Sequence, residues 1–129
     1  MTSPADPAAR LTLTARDSTA GPVVEATGEI DLDSAPKLRT ALHEALGRVP
    51  APPVAVLDLS GVTFCDSTGL NAMLLARREA QHAGTVLHLA APSGTVARVL
   101  ELTGVDQVFP IDRTSPPGGE GGLPGTAAA

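Results

Sequence analysis

Apolar and polar positions along the chain alternate between two periods. Leu11, Leu13 and Ala15 interleave with Thr12, Thr14 and Arg16, which predicts a half-buried strand. Gly21-Pro22 marks a turn, and Val23 to Ile30 predicts a second strand, the hairpin partner of the first. A helical period follows, with Leu38, Ala41, Leu42, Ala45, Leu46 and Val49 on one face. Asp33 or Ser34 can cap that helix, and Pro36 suits its first turn, where a missing N–H has no partner to lose. Gly47 and Pro50 end it. Val54 to Leu59 is nearly all apolar, as in a strand covered on both faces, and Ser60-Gly61 is expected to break it. A second helix is predicted from near Ser67 to about Ala83. Leu70, Met73, Leu74, Ala76, Ala80 and Ala83 form its buried side, and Gly84 stops it. Thr85 to Ala90 predicts a fourth strand. Ser93 caps a third helix carrying Val96, Val99, Leu100 and Leu102, closed by Gly104. Val108 to Ile111 predicts a short last strand, kept to an edge by Pro110.

The order is β-β-α-β-α-β-α-β. Strands that alternate with helices imply right-handed crossovers and a mixed α/β sheet with helices packed on it. Loops leaving the carboxyl ends of neighbouring parallel strands lie side by side. Two loops qualify, residues 28–34 and 61–67. If their strands are neighbours, Asp31, Asp33, Asp66 and Ser67 share one end of the molecule.

The two ends of the chain do not fit this pattern. Residues 1–9 are small, polar and proline-bearing, and residues 114–129 read TSPPGGEGGLPGTAAA. Neither can bury enough apolar surface to offset its ordering entropy, so both are expected to be disordered around one domain over residues 10–113. No internal repeat, signal peptide or membrane-spanning run is read in the sequence, which leads us to expect a cytoplasmic protein with no membrane insertion.

Composition narrows the function classes. The chain has 129 residues, 43% of them apolar, but only two aromatics, Phe64 and Phe109, and one lysine, Lys37. Its formal net charge is -5. Few stacking side chains and no basic stripe argue against nucleic-acid binding. A single cysteine, Cys65, allows no intrachain disulfide and reads as a small buried hydrophobe. No phosphate-cradling GxxxxGK[ST] loop is present, and the aspartates lack the His or Cys company of a metal site. No cofactor is expected.

The candidate chemistry lies in Asp66-Ser67-Thr68-Gly69-Leu70. Ser67 stands where a loop becomes a helix, with unpaired N–H groups and the positive end of the dipole beside it. An anion is favoured there. Gly69 costs the helix up to about 1 kcal/mol relative to alanine, which reads as access for another molecule to the backbone. Capping alone also explains such a run, and on spacing alone it is the better reading.

Three segments in order, GEIDLDSAPKLRTAL, VLDLSGVTFCDSTGLNAMLLA and VLELTGVDQVFPI, resemble a STAS domain. The nearest subgroup is the bacterial anti-sigma factor antagonists, or anti-anti-sigma factors. The resemblance covers about Leu11 to Ile111. It implies a mixed sheet with helices packed on it. It also implies that Ser67 is phosphorylated by an anti-sigma factor that is a serine kinase, and reset by a phosphoserine phosphatase. The unphosphorylated form would bind the anti-sigma factor and free a sigma factor. Thr68 ranks second as phosphate acceptor. The implied partner surface comprises Asp31, Asp33, Ser34, Asp66, Thr68, Gly69, Leu70 and Asn71.

Two other roles share this fold: a scaffold part of a stress-signalling complex, and an accessory subunit of a lipid transporter. A serine hydrolase is the reading from another class. It fails on the nucleophile elbow, since Cys65 stands where G-x-S-x-G needs glycine. His43 and His82 fall mid-helix among polar neighbours, and His88 lies on a strand, so none reads as a base. The run Asp31-Leu32-Asp33-Ser34 after a strand resembles an aspartyl phosphatase loop, but that chemistry needs further motifs, and loop capping accounts for these residues. Catalysis is therefore not expected.

Overall fold

A computed structural model describes residues 10–118. The disorder expected at residues 1–9 and 119–129 lies outside the described residues, whereas residues 114–118, also expected to be disordered, are held by hydrogen bonds from Arg16 and Thr19 to Ser115, Pro116 and Pro117. β1 (Leu11–Asp17) and β2 (Pro22–Ile30) form the antiparallel hairpin. Then follow α1 (Ala35–Leu46), β3 (Val54–Cys65), α2 (Ser67–Ala83), β4 (Val86–Ala90), α3 (Gly94–Thr103) and β5 (Ile111–Asp112). The sheet order is β1-β2-β3-β4-β5, and every pair after the first is parallel. Neighbouring parallel strands joined by right-handed crossovers put all three connecting helices on one face.

That face holds the core. Leu11, Val24, Ile30, Leu57, Leu59, Leu87 and Leu89 point from the strands toward Leu38, Leu42, Met73, Ala76, Val96 and Leu100 of the helices. With so few aromatics, branched aliphatic side chains and alanines fill it. Alanines at 72, 76 and 80 let α2 lie close to its neighbours.

Several expectations about the elements need correction. β3 does not stop at Ser60-Gly61 but runs on to Cys65. The register with β2 shifts there, and Gly61 faces Thr27: a Cβ on Gly61 would lie 2.7 Å from the Thr27 hydroxyl. The glycine thus lets the strands close up. Leu74 and Ala83 lie on the exposed side of α2, and Gly69 and Ala72 take the inner positions. Val49, beyond the end of α1, and Leu102 in α3 are likewise exposed. The last strand is only Ile111–Asp112, because Val105–Gln107 forms a 3₁₀ turn and Phe109 turns into the core.

Candidate functional site

Ile30 at the end of β2 pairs with Cys65 at the end of β3, and the Asp66 N–H donates to the Ile30 carbonyl at 3.2 Å. The loops after these strands therefore leave side by side. This is the juxtaposition that brings Asp31, Asp33, Asp66 and Ser67 to one end of the sheet.

α2 starts where local chemistry dictates. Asp66 is extended and its Oδ1 accepts from the Thr68 and Gly69 N–H groups at 3.0 and 3.2 Å. The same oxygen accepts from the Thr68 hydroxyl at 2.5 Å. Asp66 is thus the cap, and Ser67 is the first helical residue. Ser67 is exposed, whereas the Thr68 hydroxyl is committed to the cap. At the other end Gly84 adopts φ 81°, the left-handed conformation that glycine takes without strain.

The neighbouring loop is organised by Asp31 rather than by a Ser34 cap. Asp31 Oδ1 accepts from the Asp33 and Ser34 N–H groups, both at 3.1 Å. Ser34 is fully buried, and its hydroxyl donates to the Glu29 carbonyl at 2.8 Å and accepts from the Asp31 N–H at 3.0 Å. It ties the loop shut instead of capping α1. Arg10 pairs with Asp31 and, through Nε at 3.0 Å, with Glu29. Removal from water alone would push the Asp31 carboxyl up. Hydrogen bonds from the Ser34 amide and the Arg10 guanidinium outweigh that, and its pKa lies below the usual value of 3.8.

Gly69 is buried, and its role differs from the one expected. A Cβ there would lie 2.7 Å from both Cys65 Sγ and Ile30 Cγ2. The glycine lets α2 seat on the strand ends beneath it; it does not open the backbone to a visitor. Leu70 is buried too. Ser34, Gly69 and Leu70 therefore shape the site from below, while Asp33, Ser67 and Asn71 face solvent and Asp31, Asp66 and Thr68 are half-buried.

Ser67 opens onto a groove of about 620 Å³ between α1 and α2. Ser67, Asn71 and Leu75 line it at helical spacing, with Thr68 and Ala72. Leu32, Ala35, Pro36 and Arg39 form the facing wall. Leu32 is 71% exposed, an apolar side chain at the tip of an acidic loop. Leu32, Pro36, Arg39 and Leu75 escaped the sequence reading. The one local signal was Leu32 between two aspartates; the others need the helix pairing to be known.

Other reactive groups are elsewhere. Cys65 lies under Gly69, and burial followed by the Asp66 charge pushes its thiol up to about 12. His43 pairs with Glu79 across α1 and α2, His82 is exposed, and His88 pairs with Asp112 at 3.0 Å. No histidine lines the Ser67 groove. Among the described residues no group of three or more His, Cys, Asp and Glu side chains is placed to hold a metal ion, and no helix is long and apolar enough to cross a membrane.

A five-stranded mixed sheet with helices on one face and a serine at the start of α2 is the arrangement of a STAS domain. The family model described as Mlab, STAS domain matches residues 13–111, and the chain belongs to that family. The chain is 35% identical over 106 residues to the anti-sigma-F factor antagonist RsfB of Mycobacterium tuberculosis, covering 81% of this chain and 83% of RsfB. Within STAS domains it therefore belongs with the bacterial anti-sigma factor antagonists. An anti-sigma factor antagonist from Mycobacterium paratuberculosis superposes with TM-score 0.71 at 30% identity, over 88% of this chain and 92% of that one. Bacillus SpoIIAA shares the fold, with TM-score 0.66 at 23% identity unphosphorylated, over 81% of this chain and 90% of its own, and 0.61 at 22% phosphorylated, over 81% and 93%.

Proposed function

We propose that this chain is an anti-sigma factor antagonist switched at Ser67. With Ser67 unmodified, the end of the molecule that carries the Asp31 loop and the start of α2 binds an anti-sigma factor, which then releases its sigma factor. That anti-sigma factor is also the serine kinase that phosphorylates Ser67, and a phosphoserine phosphatase restores the binding form. The protein itself is regulatory and acts in the cytoplasm.

The observation that carries this reading is the exposed Ser67 hydroxyl at the mouth of the groove, one residue beyond a capping carboxylate. Thr68 has its hydroxyl engaged by Asp66, which makes it the poorer acceptor. Phosphorylation adds about -1.5 to -2 charges. The helix start tolerates them, so the fold need not change. A partner that had closed over a neutral hydroxyl must instead desolvate a dianion beside Asp66. An unpaired buried charge costs several kcal/mol, and about 1.4 kcal/mol already changes affinity tenfold. Asp31 adds less repulsion than its charge alone would, because Arg10 pairs with it. The apolar walls of the groove, Leu32, Pro36 and Leu75, supply contact area for the partner, and Arg39 offers it one charged hydrogen-bonding group.

The scaffold and lipid-transport roles use the same fold; the antagonist reading is favoured by the relatives in hand. A hydrolase reading lacks a base, since the histidines are paired or lie away from the groove. The test is to recover the chain from its native cell with its bound partner and incubate the two with ATP. Intact mass should gain one phosphate, localised to Ser67 and absent from Ser67→Ala. Phosphate that persists in Ser67→Ala, or labelling of Ser67 by a covalent serine-hydrolase probe, would reject the proposal.

A further inference from the structure

Among the described residues, no helix packs on the second face of the sheet. Strand alternation puts Thr12, Thr14 and Arg16 of β1 there, with Val23 and Glu25 of β2, Val56 and Asp58 of β3, and His88 and Ala90 of β4. A bare sheet face should leave its apolar side chains in water. Yet Val23 and Val56 are 0% and 1% exposed, and with Ala90 they form an apolar cluster separate from the main core.

The segment after β5 is tied to residues at the β1 side of this face. β5 lies at one edge of the sheet and β1 at the other. Past Asp112 the chain turns back toward β1. Arg16 Nη2 donates to Ser115 Oγ at 2.9 Å and to the Pro116 carbonyl at 2.8 Å. The Thr19 N–H donates to the Pro117 carbonyl at 3.2 Å. Arg16 is itself braced by Glu25 at 2.7 Å. Strand register sets Arg16, Val23, Val56 and His88 in one row across the sheet. Ser115 and Pro116 hold the Arg16 end of that row. At its other end His88 pairs with Asp112, where the segment begins. The buried pair Val23 and Val56 lies between the two anchors.

We propose that the helix-free face is a docking groove for an extended, proline-bearing segment, and that the chain's own Arg113–Pro117 occupies it as a strap. The chemistry suits a sheet face. Pro116 and Pro117 have no N–H to satisfy, and they favour an extended backbone. Their carbonyls are taken by Arg16 and Thr19, and their rings would supply apolar cover for Val23 and Val56. The strap lies on the face opposite α1 and α2, so it leaves the Ser67 groove free, and its failure would leave the switch proposal standing.

Nuclear magnetic resonance of the full chain, and of a chain ended after Arg113, tests this. Ending the chain should shift the Val23 and Val56 methyl signals and speed Thr19 amide exchange by about tenfold or more, because that N–H loses its acceptor. Arg16→Ala in the full chain removes two anchors and should also speed Thr19 exchange. A synthetic peptide of residues 112–118, added to the shortened chain at several millimolar, about the effective concentration of a short tether, should return the methyl signals toward their original positions. Unchanged Val23, Val56 and Thr19 signals on shortening would overturn the strap. Methyl signals that ignore the peptide would overturn the docking groove.

Discussion

Gly69→Ala distinguishes two reasons for a glycine in the first turn of α2. If the glycine served access, alanine would stabilise the helix by about 1 kcal/mol through propensity alone. The packing beneath it predicts the opposite sign. The new Cβ would sit 2.7 Å from Cys65 Sγ and Ile30 Cγ2, well inside the 3.4 Å at which ordinary contact begins. Both neighbours are buried side chains at strand ends, and neither can withdraw freely. Overpacking of this kind costs about 1–3 kcal/mol. Set against the propensity gain, a net loss of up to about 2 kcal/mol follows. For a domain near 100 residues each kcal/mol lowers Tm by about 4–8 °C. The chain has no Trp or Tyr, so urea and thermal unfolding should be followed by circular dichroism. A Cys65→Ala background removes Sγ and should shrink the cost of Gly69→Ala, leaving the Ile30 contribution. A Gly69→Ala protein about 1 kcal/mol more stable than the parent, as propensity alone requires, would refute the packing argument.

Three further outcomes can be checked. Cys65, buried with its thiol pushed up to about 12, should resist alkylation at neutral pH in the native chain and react fully once urea unfolds it; rapid native reaction would show the thiol to be accessible. The Asp31 carboxyl has its folded pKa below 3.8, so its stabilising contribution is present above that value and is lost as pH falls through the folded pKa. The urea midpoint of the parent should accordingly drop more steeply below pH 3.8 than that of Asp31→Asn, and parallel curves would contradict this. Leu32→Ala and Arg39→Ala should each weaken partner binding by about tenfold, as truncations of central interface residues do, with unfolding midpoints unchanged.

Much of this fold was legible because its signals are local. Asp66 and Gly84 bound α2 through a cap and a left-handed stop, and both act within a few residues of themselves. Once β2 and β3 are parallel neighbours, Asp31 and Asp66 must come together, because such strands release their loops on the same side; the sequence left that adjacency as a condition. What escaped depends on contacts between distant parts of the chain. β3 continues past Gly61 because β2 pairs with it as far as Cys65, and a Cβ on Gly69 would meet Cys65 and Ile30 beneath it. Ser34 looks like a cap in sequence, yet its hydroxyl is drawn down to the Glu29 carbonyl. The groove needs Leu32 and Arg39 to face Ser67 and Leu75 across two helices, which no periodicity in either helix reveals.

The central claim is that a neutral Ser67 binds and a charged one releases. Calorimetry with the anti-sigma factor recovered from the native cell tests it, using the unmodified chain, the chain phosphorylated at Ser67, Ser67→Ala and Ser67→Asp. Ser67→Ala should bind about as tightly as the unmodified chain. The phosphorylated chain and Ser67→Asp should each lose at least about tenfold in affinity, the equivalent of about 1.4 kcal/mol. A phosphorylated chain that binds as tightly as the unmodified one would contradict it.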